Sequence, residues 1–237
     1  MTIRPDDDQT CLPKERGSCA LGEIRPRDLL FLLALGAAAL LAAGRVVSAH
    51  EMTRDSAALP AVRNARVSSA SQYPVPPVRL VRDDGKVVLL PEELNDGRPV
   101  VLNFIFTTCS STCPLMSQTF AQFDSELGAD RERVHLMSIS TDPEEDTPAR
   151  LREYAQKFHA GPEWQHYTGT LEASIAAQRA FNVWRGDKMS HTPITLLRAA
   201  PGKPWLRIEG FVTPDELLQL YRQQLERAAA PTTVATR

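Results

Sequence analysis

Pro99-Val100-Val101-Leu102-Asn103-Phe104-Ile105-Phe106-Thr107-Thr108-Cys109-Ser110-Ser111-Thr112-Cys113-Pro114 passes from a nearly continuous apolar run into a pair of cysteines. An apolar run without polar alternation is expected of a central strand covered on both faces. The segment from Pro114 to Leu127 follows at once, with Leu115, Phe120, Phe123 and Leu127 recurring at helical spacing. The cysteines therefore sit where a buried strand gives way to a helix. Such a turn belongs to an α/β domain.

The same alternation extends outward. Val78 to Val81 and Lys86 to Leu90 flank Asp83-Asp84-Gly85, a hairpin-type turn. Val134 to Ile139 reads as a second buried strand. Thr147 and Pro148 read as an N-cap and first helical residue, opening a helix through Phe158. Another helix is expected from Leu171 to Phe181, and strands from Ile194 to Leu197 and from Leu206 to Phe211. Thr213-Pro214-Asp215-Glu216 starts a terminal helix by the same capping logic. These elements predict an α/β sandwich with a partly parallel sheet, in a thioredoxin-like arrangement over residues 78–228.

The N-terminal part has another character. Arg25 and Arg27 precede the uncharged Leu/Ala-rich run from Leu29 to Gly44, closed by Arg45. A basic flank before an apolar stretch is what the secretion machinery reads. Val47, Ser48 and Ala49 offer a cleavage site before His50, whereas a retained anchor wants about 20 apolar residues. The residues leave cleaved signal and anchor open, but both export the domain. Residues 1–28 are then a cytosolic segment, 29–49 the signal or anchor, 50–77 a polar, proline-rich flexible tether, and 229–237 a disordered tail. Across all 237 residues, 27 basic side chains face 29 acidic ones, with no basic run interleaved with aromatics. That balance excludes a nucleic-acid partner.

Of four cysteines, Cys11 and Cys19 precede the apolar run, leaving Cys109 and Cys113 in the exported part. Two close cysteines point to redox or metal chemistry rather than a disulfide scaffold. A helix N-terminus offers free N–H groups and partial positive charge, which stabilise a thiolate. Paired thiolates are soft ligands suited to monovalent copper. Thioredoxin-type oxidoreductases use a Cys-x-x-Cys spacing; one more residue intervenes here, and a disulfide across the gap stays possible. His191, in Met189-Ser190-His191-Thr192-Pro193 before the strand at Ile194, is the candidate third metal ligand. In such folds the proline before this strand is usually cis. His135 reads as a surface or satisfied sheet position, His159 and His166 as exposed, and His50 as an adventitious metal binder. Met116 and Met189 read as packing residues.

Phe104-Ile105-Phe106-Thr107-Thr108-Cys109, Cys113-Pro114, Ser140-Thr141-Asp142-Pro143-Glu144-Glu145-Asp146-Thr147-Pro148 and His191 together resemble the Sco/SenC family, over roughly Tyr73 to Leu225. The resemblance implies a membrane-tethered thioredoxin fold with copper held by Cys109, Cys113 and His191. It implies delivery of copper to the binuclear copper centre of cytochrome c oxidase, or to another exported cuproprotein. It further implies an anchor in the bacterial inner membrane, with the domain in the periplasm. Two departures stand out. Ser110, Ser111 and Thr112 replace the proline and acidic pair common in the family's loop, and Ser190 replaces the aspartate before its histidine. Asp142, at a family position, also suits a turn. The alternative is a thiol–disulfide oxidoreductase in which Cys109 attacks and Cys113 resolves. A peroxide-reducing relative would need an arginine beside the cysteine, and no such constellation is readable.

Overall fold

The computed structural model describes residues 64–70, 72–190 and 192–230. Residues 1–28, expected to be cytosolic, with Cys11 and Cys19, the apolar run, His50, His191 and the tail from residue 231 lie outside the described residues. Among the described residues no helix is long and apolar enough to cross a membrane.

Eight strands form one sheet: β1 Ala65–Ala70, β2 Arg79–Arg82, β3 Val87–Leu89, β4 Val100–Ile105, β5 His135–Ser140, β6 Trp164–Gly169, β7 Ile194–Arg198 and β8 Trp205–Gly210. Their order is β1-β8-β7-β4-β5-β6-β2-β3. Every residue of β4 is buried, as its unbroken apolar run requires. β4 pairs parallel with β5, setting Phe104 opposite Ile139, and antiparallel with β7, setting Leu102 opposite Leu196. β5 continues parallel to β6.

The helices are α1 Leu90–Leu94, α2 Thr112–Leu127, α3 Pro148–Lys157, α4 Leu171–Ala180 and α5 Pro214–Ala229. One core joins the sheet to α2, α3 and α5 through Phe120, Phe123, Leu151, Tyr154, Leu217 and Leu220. The second covers the opposite face with Leu90 and Leu94 of α1 and Ala173 and Ala177 of α4, closed by Phe181. The two cores make the expected α/β sandwich. With α2 and α3 on one face, the two crossovers of β4-α2-β5-α3-β6 share one hand. Helix starts follow their caps. Thr147 Oγ1 accepts the Arg150 N–H, and Thr213 forms a complete capping box with Glu216; such caps contribute about 1 kcal/mol each.

Several expectations need correction. Residues 50–77 are not a tether throughout, because Ala65–Ala70 pairs antiparallel with β8, Val67 opposite Ile208. Ala65 and Val67 pack against the first core, and hydrogen bonding to the edge of β8 completes the strand. Tyr73 also packs on Phe181 and Trp205, with ring centroids 5.0 and 6.0 Å apart. Strand β6 escapes a hydrophobicity reading because it is written Trp-Gln-His-Tyr-Thr-Gly, and it buries His166 completely. That histidine lies against the Trp164 ring with Nδ1 3.5 Å from Asp83, not in an exposed loop. The short helix α1 is a further addition. All described peptide bonds are trans, including the one before Pro193. Leu115, at helical spacing with core residues, is 57% exposed because it falls on the outer side of α2.

The first core also encloses charge. Asp124 of α2 and Glu163 lie buried together, with the Arg131 Nε 3.9 and 3.4 Å from their carboxylates. Burial, and next the neighbouring Glu163 charge, push the Asp124 carboxyl up to about 6 against the pull of Arg131. Between the ordinary aspartate range and that value the folded state holds more protons than the unfolded one. Stability therefore falls as pH rises from about 4 to about 6, by about 3 kcal/mol at most. Denaturant titrations across this window should show the loss, and Asp124→Asn should flatten it.

Candidate metal-binding dithiol site

The chain leaves β4 at Ile105, turns through Thr107 and Thr108, and enters α2 at Thr112. The helix begins two residues earlier than its apolar pattern predicts, which places Cys113 inside the first turn. Its N-cap residue, Ser111, makes no side-chain cap. The sulfur of Cys109 takes over that role, accepting the Cys113 N–H at 3.3 Å and lying 3.9 Å from Ser111 Oγ. One cysteine thus satisfies an otherwise unpaired donor at the helix terminus where the other is anchored.

The two thiols are free and differ in kind. Cys113 is fully buried, and burial drives its thiol far above the ordinary range. Cys109 is half-buried. Burial opposes its ionisation, but the N–H groups of Cys113 and Ser111 outweigh that and hold it below the ordinary thiol value. Both cysteines belong to one turn, joined by the Cys113 N–H to Cys109 sulfur bond. Soft donors converging from one turn fit a monovalent, thiophilic ion.

A cleft of roughly 70 Å³ opens beside Cys109, lined by Phe106, Thr108, Ser111, Lys188 and Met189. Its far wall is the single 3₁₀ turn Lys188–Ser190, which leads directly to the position of His191. Loop and cysteines thus approach across the carboxyl ends of the strands, where ligands of open α/β sheets gather. Among the described residues no third His, Cys, Asp or Glu completes a metal cluster with the two thiols.

The other histidines stand away from this site. His135 is buried in β5, with Nε2 2.8 Å from the Tyr167 hydroxyl and Nδ1 3.1 Å from an Asp96 carboxylate oxygen. His159 is exposed after α3. Met116 is core, whereas Met189 is 74% exposed at the mouth of the cleft, which corrects its reading as a packing residue.

Asp146 is the residue that reading along the chain misses. It is fully buried beneath the cysteine turn, accepting Thr107 Oγ1 at 2.5 Å, the Thr107 N–H at 3.2 Å and Ser140 Oγ at 2.6 Å. Asp142 is buried as well and carries more than a turn, since its carboxylate meets Lys188 Nζ at 2.5 Å. The signal was present in Asp142-Pro143-Glu144-Glu145-Asp146, where two acids bracket a loop after a buried strand.

The family model described as SCO1/SenC matches residues 69–226. A SCO1 protein homolog of Bacillus subtilis is 31% identical over 111 residues, which are 46% of this chain and 56% of that protein. The match therefore spans just over half of that relative. The copper-bound ScoI of Arabidopsis thaliana is 26% identical with a TM-score of 0.54, covering 64% of this chain and 98% of that one. BsSco, a Sco protein of the cytochrome c oxidase assembly group described with a disulfide switch, is 25% identical with a TM-score of 0.54, over 64% of this chain and 93% of that one.

The asymmetry of the thiols has a direct readout. Of the two site thiols, brief iodoacetamide treatment near neutral pH should modify Cys109, with Cys113 reacting only after unfolding. Peptide mass mapping checks this, and labelling of Cys113 in the folded chain would contradict it.

Proposed function

The chain belongs to the SCO1/SenC family, and from that premise we propose that it is an exported copper carrier whose cargo is held by Cys109, Cys113 and His191. The observation that supports this most is the pairing of two sulfurs at the start of α2, one capping the helix terminus and one buried beneath it. Copper is cargo here, not a resident cofactor. Two thiolates and an imidazole make a trigonal set suited to Cu(I). Loading needs both cysteines reduced, since a disulfide supplies no thiolate. The helix terminus lowers the cost of the first thiolate, and ion binding supplies the drive to deprotonate the second. Met189 and the open side of the cleft leave one approach for a partner's ligands, so cargo can pass by ligand exchange. The acceptor we assign is the copper centre of cytochrome c oxidase or another exported cuproprotein. The apolar run from Leu29 is assigned as the inner-membrane anchor that keeps the domain in the periplasm.

The thiol asymmetry favours one second reading. Cys109 thiolate would attack a partner disulfide, forming a mixed disulfide and expelling the partner's first thiolate. Cys113 would then lose its proton and displace the second, leaving the partner reduced and this chain oxidised.

Copper stoichiometry of the reduced full-length chain separates the readings. One Cu(I) per chain is expected, lost in Cys109→Ser and weakened at least tenfold in His191→Ala. His191→Ala should leave thiol–disulfide exchange unchanged. Full copper affinity in His191→Ala would refute the three-ligand site.

A further inference from the structure

Asp142 and Asp146 are both buried beyond the carboxyl ends of β4 and β5. A buried carboxylate is costly unless partners answer it, and here the partners form a chain. Thr107 N–H and Oγ1 donate to Asp146. Ser140 Oγ also donates to Asp146, and itself accepts the Asp142 N–H at 3.0 Å. The Asp142 carboxylate then pairs with Lys188 Nζ. This relay reaches from two residues before Cys109 to three residues before His191. Lys188 makes one more contact, its ammonium lying 5.8 Å from the Phe106 ring centroid in the wall of the same cleft. The turn it opens is closed locally by Ser190 N–H to the Asp187 carbonyl at 3.1 Å and Met189 N–H to Asp187 Oδ1 at 2.9 Å.

The ion pair is lopsided. The Asp142 side chain is 7% exposed and that of Lys188 is 36% exposed. Pairs between two solvated groups contribute little, but removing the partner of a buried charge leaves that charge uncompensated. The Lys188 turn is thereby tied to the end of β5 more firmly than its two local hydrogen bonds would hold it.

We propose that the Asp142–Lys188 pair is a latch that couples the cysteine turn to the loop leading to His191, making Asp142 and Lys188 positioning residues for the metal site. The proposal rests on the cargo reading for its consequence, but the latch exists in the metal-free chain. It presets the loop relative to the sulfurs, so ion binding need not supply the ordering of that loop.

Two measurements on the full-length reduced chain test it. Amide hydrogen exchange without metal follows the Lys188–Ser190 turn, with β4 amides as the folding reference. Competition with a chromophoric Cu(I) chelator gives copper affinity. Lys188→Met, which keeps the stem over Phe106, and Asp142→Asn should each speed exchange in the turn at least tenfold. Both should leave β4 unchanged and weaken copper affinity at least tenfold, while Lys188→Arg should stay within threefold of wild type. Unchanged exchange in both variants would overturn the latch. Faster exchange with undiminished copper affinity would overturn its coupling to the site. Faster exchange in a chain whose wild type binds no copper would refute the cargo reading and leave the latch standing. If Lys188→Met also loses β4 protection, Asp142→Asn and Lys188→Arg decide by the same criteria.

Discussion

Burial of β4 on both faces constrains the rest of this domain. A strand with no solvent side must have neighbours on either edge and helices on either face, since each of its backbone groups needs a partner. β5 and β7 supply the edges, α2 and α3 one face, and α4 the other. Chain leaving β4 has one direction to go, over the carboxyl edge and into the helix that covers it. The cysteine turn is the product of that constraint, and so is its location beside the turn before β7.

A loop at such an edge has backbone donors that the sheet no longer satisfies. Asp146 answers them from below, gripping Thr107 and Ser140 so that the ends of β4 and β5 move together. Cys109 answers another from above by accepting the Cys113 N–H. The cysteine turn is therefore held by hydrogen bonds along its length, with no disulfide, and its sulfurs keep their chemistry available. Preorganisation of this kind lets binding energy go to the ion rather than to ordering the loop.

The difference between the thiols is what makes one site compatible with two chemistries. An accessible sulfur with stabilised charge beside a buried protonated one describes the start of a disulfide exchange equally well as the start of metal capture. Which follows depends on what arrives in the cleft, a soft cation or a partner sulfur. Ser110, Ser111 and Thr112 leave the turn itself polar and uncharged, so the Cys109 sulfur draws its stabilisation from the N–H groups at the helix terminus.

Residue pattern alone carried much of this domain. The apolar run of β4, the helical spacing of Phe120, Phe123 and Leu127, and the Thr-Pro caps at Thr147 and Thr213 state their conformations locally, because burial period and capping chemistry are properties of neighbouring residues. The cysteine pair was legible for the same reason. Ala65–Ala70 and Trp164–Gly169 were not: each is too polar to announce a strand, and each acquires that state from a partner edge distant in the chain. His166 went from expected surface to core by the same route. Asp142 and Asp146 stand in one stretch of the sequence, but nothing along the chain joins them to Lys188. Their relay depends on two loops, some 40 residues apart, meeting above the sheet. Spacing along the chain determined which sulfurs could act together; only the crossing of those loops decided what holds them in place, since an ion pair between distant residues has no local signature.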